Sequence, residues 1–254
     1  MASATSYPLL LVDAGNTAVK FATVSRPGAT PRLIGSLRTA TLHASAARKT
    51  AGRYATVIIA SVVPAASRIL RRAFPAGKFI GPRTPVSFRS LYDRKKLGAD
   101  RLAQVAAARA LHGKNVVVIS CGTATVFDLI DHQGIHRGGA IAPGWKAFAD
   151  WPHTATAALP EVSATAPETF TGRDTRAALR AGVAGGYAGM IKAIVAAMQK
   201  EAGGKKIRII FTGGDARLAA RLTGLRAVTD PLLTMRGLSV LARDIVREAS
   251  KQAA

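Results

Sequence analysis

Acid is what this chain has least of. Asp13 is the only Asp or Glu in the first 92 residues, and all 254 residues hold 14 carboxylates against 36 Lys and Arg. The formal charge of +22 raises binding to nucleic acid or to an anionic surface as a hypothesis. No zinc finger and no aromatic-basic RNA-binding signature accompanies it. The basic residues read as scattered: Arg68, Arg71 and Arg72 fall on one helix, Arg94-Lys95-Lys96 in a loop, and Lys205-Lys206 before a strand. The expectation is a solvated basic surface around a site for anionic substrates, without specific nucleic-acid binding. One cysteine, Cys121, excludes an intramolecular disulfide. No charge-free run approaches the ~20 residues of a membrane helix, and Met1 to Pro8 show no basic segment leading into an apolar core. A cytoplasmic protein is expected. Two common nucleotide signatures, Gly-x4-Gly-Lys-Ser/Thr and Gly-x-Gly-x-x-Gly after a strand, are missing. His132 and His136 are four apart, but Gly134 and a hairpin pattern separate them and no second ligand cluster exists, so zinc is not expected. No His is placed to activate Cys121, which reads as a small turn residue.

What is present is organised around Leu9-Leu-Leu-Val-Asp13-Ala-Gly15-Asn16-Thr17-Ala-Val-Lys20-Phe21. An apolar strand ends in a carboxylate, turns through Gly-Asn-Thr and resumes as a second strand. Alone, Asp13 fits either an Asx-type turn or a functional carboxylate. A second copy of this grammar runs from Asn115 to Ile130, with Gly122 matching Gly15 and Ser120 falling opposite Asp13. Two such hairpins about a hundred residues apart point to a duplicated fold. Glycine lets a backbone approach a ligand, and turn N–H groups with Thr hydroxyls suit phosphate oxygens.

Between and beyond the hairpins the pattern alternates strands and helices. Strands are expected at Arg32–Arg38, Thr56–Ala60, Lys78–Ile80 and Ile207–Phe211. Helices are expected around Ala40–Ala51, from Pro64 through Leu70, over Ala99–Leu111, over Arg173–Lys200 and over Leu232–Glu248. Asp100 falls in the first turn of the Ala99–Leu111 helix, where the helix dipole favours its ionised form. Pro82 to Lys96 reads as a loop suited to substrate contacts, and Trp145–Pro167 as an irregular helix-and-loop region. The run Gly138-Gly139-Ala-Ile-Ala-Pro143-Gly144 suits close backbone approach better than a plain strand. Gly182, Gly185, Gly186 and Gly189 inside a helix cost about 1 kcal/mol each against alanine, which suggests close helix packing across a dimer.

Asp13-x-Gly15-Asn16-Thr17-x-x-Lys20 and Gly122-Thr123-Ala124 together resemble the two phosphate loops of the acetate-kinase, sugar-kinase, Hsp70 and actin superfamily. Gly98-Ala99-Asp100-Arg101, Gly138 to Gly144, and Thr212-Gly213-Gly214-Asp215 follow in the order and spacing of type III pantothenate kinases, so nearly the whole chain is similar to that family. The resemblance implies an α/β fold of duplicated ribonuclease-H-like (actin-like ATPase) domains with a nucleotide cleft between them, split as 1–112 and 113–254. It implies ATP-dependent phosphorylation of pantothenate to 4'-phosphopantothenate, in coenzyme A synthesis. Asp13 would orient a Mg²⁺–phosphate group, and Gly15, Asn16, Thr17 and Lys20 would surround the β- and γ-phosphates. Gly122 and Thr123 would close from the second copy, and Gly213 and Gly214 would hold the adenosine. Asp100 would be the general base. Arg101 would bind the pantothenate carboxylate, with Tyr92, Gly98, Ala99 and Thr175 completing the substrate site. A homodimer is implied. The family has a carboxylate at position 120 that helps bind K⁺ or NH₄⁺; Ser120 offers only a neutral oxygen, which puts that cation in question. Two other readings stand beside this one: a kinase of another small alcohol, and a regulatory nucleic-acid-binding protein on the same fold.

Overall fold

The computed structural model describes residues 8–157, 159–161, 167, 169–204 and 206–252. The expectations for residues 1–7 and for Lys205 lie outside this set. The chain forms two compact units, Met1–Gly113 with Leu232–Ala254, and Lys114–Pro231.

In the first unit, β1 (Leu9–Ala14), β2 (Ala18–Val24) and β3 (Arg32–Arg38) form an antiparallel meander. β4 (Thr56–Ser61) and β5 (Lys78–Phe79) add in parallel on the other side, giving the order β3-β2-β1-β4-β5. α1 (Ala44–Ala51) and α2 (Pro64–Ala73) cover one face, packing Ala47, Leu70 and Ala73 onto Leu10, Val12, Phe21 and Ile59. The opposite face packs Leu11, Ala22 and Ile58 against α3 (Ala99–His112). Side chains alternate along β1, so the two faces of this buried strand read as one unbroken apolar run.

The second unit repeats the plan. β6 (Val116–Cys121), β7 (Ala124–Ile130) and β8 (His136–Pro143) form the meander. β9 (Arg208–Thr212) and β10 (Ala227–Thr229) add in parallel, giving β10-β9-β6-β7-β8. Each sheet thus has its first hairpin in the middle and its crossover strands on one side, as a duplication requires. α4 (Trp145–Ala155), α5 (Thr175–Glu201) and α6 (Ala216–Thr223) contribute to a core around Tyr187, Phe127 and Phe211. The Gly138 to Gly144 run is strand β8 as far as Pro143, not an irregular ligand loop; its tight approach is to β7, where a Cβ on Gly139 would lie 1.6 Å from the Phe127 carbonyl oxygen.

One expectation is corrected. The last helix, α7 (Leu233–Gln252), was assigned to the second half by chain order, yet it belongs to the first unit. Its Leu238 and Leu241 share the core of α3, and Gly237 lies so close to α3 that a Cβ there would come within 1.8 Å of the Ala103 carbonyl oxygen. Among the described residues α5 is the one helix long and apolar enough, by length and composition, to cross a membrane, and charges interrupt it. One side of it is core, through Val183, Tyr187, Ile191 and Val195.

Candidate functional site

The carboxylate of Asp13 is placed by strand alternation. Leu10 and Val12 serve the α1–α2 face, so Leu11 and Asp13 point to the face that α3 covers. Lys20 is its register partner across the hairpin. Gly15 N–H donates to the Ala18 carbonyl at 3.1 Å, and the Thr39 hydroxyl donates to the Gly15 carbonyl at 2.7 Å, which fixes the turn. Asn16 and Thr17 are left exposed at its tip. Asp13 keeps a little contact with solvent but is crowded on all sides. Its pKa is raised from 3.8 to about 7, by burial first and by the charge of Asp100 second, with Lys20 pulling it back. A carboxylate set against a second carboxylate with little water around it favours the approach of a cation.

Asp100 reaches this face from the first turn of α3. Its Oδ1 accepts the Arg101 N–H at 2.8 Å within that turn. Gly98 makes room: a Cβ there would sit 2.6 Å from that oxygen. Ala99 is core, sealing the helix start against the sheet. Arg101 is buried, with its guanidinium 4.6 Å from the centroid of the Tyr92 ring, inside the range of a cation–π contact. The first unit therefore brings together Asp13, Lys20, Tyr92, Gly98, Ala99, Asp100 and Arg101, from four separate chain segments. In the Pro82 to Lys96 loop, which contains Tyr92, the Thr84 hydroxyl accepts the Gly81 N–H at 2.9 Å and the Arg94 guanidinium donates to the Thr84 carbonyl.

In the second unit, Cys121 and Thr125 form the last register pair before the Gly122-Thr123 turn. Three clamps hold that turn. Gly144 packs on it so closely that a Cβ would lie 2.1 Å from the Gly122 carbonyl oxygen. Gly213, at φ +92°, lets the β9–α6 turn fold onto Cys121, whose carbonyl accepts the Asp215 N–H at 3.1 Å. From α5, the Tyr187 hydroxyl bonds the Thr125 hydroxyl at 3.0 Å, both fully buried. Trp145 and Phe148 meet the Tyr187 ring edge-on at 5.4 and 5.6 Å. Gly213, Gly214, Gly122 and Thr123 thus form one connected set. Burial also raises the pKa of Asp215, beside Gly214. Tyr187 and Thr125 are additions to the residues read from sequence. The only signal for Tyr187 was a single hydroxyl-bearing aromatic in a Gly- and Ala-rich helix.

Three residues differ from expectation or stand apart. Cys121 is not a turn residue: it ends β6 facing the core, is wholly buried, and has its thiol pushed up to about 12 by burial. Ser120 points to the opposite face, as Asp13 does in the first unit, and pairs in register with Thr212 and Val126. Thr175 begins α5, exposed, with the Asp174 carboxylate capping the helix by accepting the Ala177 N–H at 2.8 Å. It belongs to the second unit, whereas Tyr92, Asp100 and Arg101 belong to the first. His136 is a core residue bonded to Asp128 at 2.9 Å, and no group of three or more metal-ligating residues occurs among the described residues.

Comparison with known proteins agrees with this geometry. A solved Campylobacter jejuni protein, described as a Baf-family transcriptional activator, matches 95% of this chain and 99% of its own with TM-score 0.63 at 23% identity. The Clostridium difficile activator of 2-hydroxyisocaproyl-CoA dehydratase, with bound ADPNP, matches 96% and 97% with TM-score 0.56 at 14% identity. At such identities these likenesses establish the duplicated α/β fold of the actin-like ATPases. Among curated proteins, the type III pantothenate kinase of Rhizorhabdus wittichii is 36% identical over 92% of this chain and 96% of its own. That of Methylacidiphilum infernorum is 31% identical over 96% and 91%. The family model for type III pantothenate kinase matches residues 9–197. With the motif residues in place and relatives matched along most of its length, the chain belongs to the type III pantothenate kinase family.

Proposed function

We propose that this chain transfers the γ-phosphoryl group of ATP to the primary hydroxyl of pantothenate, giving 4'-phosphopantothenate for coenzyme A synthesis. The observation that carries the proposal is the meeting of Asp13 and Asp100, 87 positions apart in sequence, within electrostatic reach on one face of the first sheet. One carboxylate for the nucleotide and one for the acceptor hydroxyl is the minimum that phosphoryl transfer asks of a protein.

In this scheme Asp100 accepts the hydroxyl proton as the oxygen attacks the γ-phosphorus. The new O–P bond forms, the bond to the bridging β,γ-oxygen breaks, and ADP leaves. The first turn of α3, where Asp100 sits, is where the helix dipole favours negative charge. Arg101 binds the pantothenate carboxylate by its edge while Tyr92 holds its face; a guanidinium can do both at once. Gly98 and Ala99 shape the helix start beside them, and Thr175 contributes from α5. Gly15, Asn16, Thr17 and Lys20 present turn N–H groups, hydroxyls and one ammonium to the phosphates, as do Gly122 and Thr123 in the second unit. Gly214, with open space above it, leaves room for the adenosine, and Gly213 holds the turn that carries it. Asp13 suits a Mg²⁺ carried in with ATP, because a hard cation takes one carboxylate and completes its shell with phosphate oxygens and water. Bound there, Mg²⁺ would neutralise charge on the β- and γ-phosphates. Ser120, with its neutral oxygen, suits a monovalent cation poorly, so dependence on K⁺ or NH₄⁺ is expected to be weak.

A homodimer and a cytoplasmic location complete the proposal. Gly182, Gly186 and Gly189 are exposed on α5, with open space above Gly182 and Gly189, a surface on which a second copy could pack closely. A coupled assay of ADP release with pantothenate against a panel of other small alcohols tests the substrate assignment. Pantothenate should be preferred by orders of magnitude, and equal rates across the panel would refute it.

A further inference from the structure

The positive charge, spread evenly along the sequence to the eye, is segregated in the fold. The first unit carries 22 Lys and Arg against 5 Asp and Glu, and the second 14 against 9. Within the first unit the division is sharper. Between Ala14 and Tyr92 there are 13 Lys and Arg and no acid at all. That stretch supplies α1 and α2, which lie together over one face of the sheet, whereas Asp100, Asp244 and Glu248 all sit on the helices of the other face.

The α1–α2 layer turns its apolar residues inward. Outward it presents Arg48 and Lys49 on α1, Arg53 just after it, and Arg68, Arg71 and Arg72 on α2, all exposed. Among the described residues, no salt bridge is found for Arg48, Lys49, Arg68, Arg71 or Arg72. Arg71 is braced, its guanidinium 4.0 Å from the centroid of the Phe79 ring. Five of these six cations are arginines, whose planar N–H fork matches phosphate oxygens better than an ammonium does. Like charges held on one surface repel, and when they meet a polyanion they release the counterions condensed on its phosphates.

We propose that the α1–α2 layer is a docking surface for nucleic acid, gripping the phosphodiester backbone without reading base sequence. The layer's own composition separates this from its rivals. Its aromatic rings Tyr54, Phe74 and Phe79 are buried or half-buried, so no ring is offered for base stacking, and Val62 is its one exposed large apolar side chain. A helix that inserts into a bilayer surface would need an apolar wedge beside the cations. A folded acidic protein would need a shaped interface with an apolar centre. A rigid row of phosphates needs only the cations.

The test is fluorescence anisotropy with a labelled 20-base-pair duplex on three full-length proteins. They are the wild type, Arg68→Gln/Arg71→Gln/Arg72→Gln, and a charge-matched control in the second unit, Arg217→Gln/Arg221→Gln/Arg226→Gln. All six positions are exposed and none belongs to the phosphoryl-transfer site, so pantothenate turnover should be unchanged in every protein. Wild type should bind at low salt irrespective of sequence and lose affinity steeply as salt rises. The α2 variant should bind roughly tenfold or more weakly, with its log–log salt slope reduced by about 2–3, near 0.9 per lost phosphate contact. The control should stay within about threefold of wild type. Equal losses in both triple variants would mean that overall charge attracts DNA, and would overturn the proposal. So would absent duplex binding with retained binding to phosphatidylserine vesicles or to poly-glutamate.

Discussion

Replacing Asp13 by Asn should destroy turnover and, at alkaline pH, strengthen the fold. The crowded carboxylate has its pKa pushed up from 3.8 to about 7 by burial and by Asp100. A folded state that holds a proton more tightly than the unfolded chain loses stability as pH rises. The cost is absent below about pH 4, grows through the interval up to 7, and is complete above it. A shift of roughly 3 units at 1.36 kcal/mol per unit corresponds to about 4 kcal/mol. That is an upper bound, since the fold relaxes around a buried charge and lets water in, and about 1–3 kcal/mol is expected. At this chain length 1 kcal/mol moves Tm by roughly 2–4 °C, so Asp13→Asn should melt several degrees above wild type at pH 8.5 and close to it at pH 5. Scanning calorimetry of both proteins without nucleotide, from pH 5 to 8.5, reads this difference. A variant less stable at pH 8.5, or a gap that does not widen with pH, would refute the claim that Asp13 is held against its own ionisation.

Further outcomes follow from the same geometry. Asp100→Asn should lower turnover by ~10²–10⁴-fold, the span of a general base, with ATP affinity nearly unchanged; near-wild-type turnover would remove it from the mechanism. Ser120→Asp should strengthen stimulation by K⁺ over Na⁺, and an absolute K⁺ requirement in wild type would show that other oxygens form that site. Tyr187→Phe removes one buried hydrogen bond worth about 1 kcal/mol. It should raise KM for Mg·ATP roughly fivefold and leave KM for pantothenate unmoved; equal changes in both would make Tyr187 a general stabiliser only. Cys121, wholly buried with its thiol pushed up to about 12, should react with a small maleimide only at the rate of unfolding. Fast labelling of the native protein, followed by mass spectrometry, would contradict its placement in the core.

The duplicated sheets were legible because each hairpin carries its own local grammar: a buried apolar strand, a small-Gly turn and a second strand. Asp13 and Asp100 were legible as special for separate reasons, the one as the sole early carboxylate and the other as a helix-start acid beside Arg101. Their proximity was not legible, since it depends on which sheet face α3 covers. The same ignorance misplaced α7. An amphipathic stripe announces that a helix will pack but not against which sheet, and the close contact of Gly237 with Ala103 exists only in three dimensions. Cys121 was misread because a residue next to a turn glycine can end a strand, and strand parity then decides between solvent and core. Tyr187 was passed over because its ring satisfies the apolar pattern of α5, and only its buried partner Thr125 shows that the hydroxyl has a role.

The most direct measurement is of the product itself. The purified chain, incubated with ATP, Mg²⁺ and pantothenate, should yield one ADP for each phosphorylated pantothenate, with mass spectrometry and ³¹P NMR placing the phosphate on the primary hydroxyl. The Asp100→Asn protein, shown to bind ATP as wild type does, should form almost none. ADP released without phosphorylated pantothenate, or product formed equally well by both proteins, would contradict the assignment.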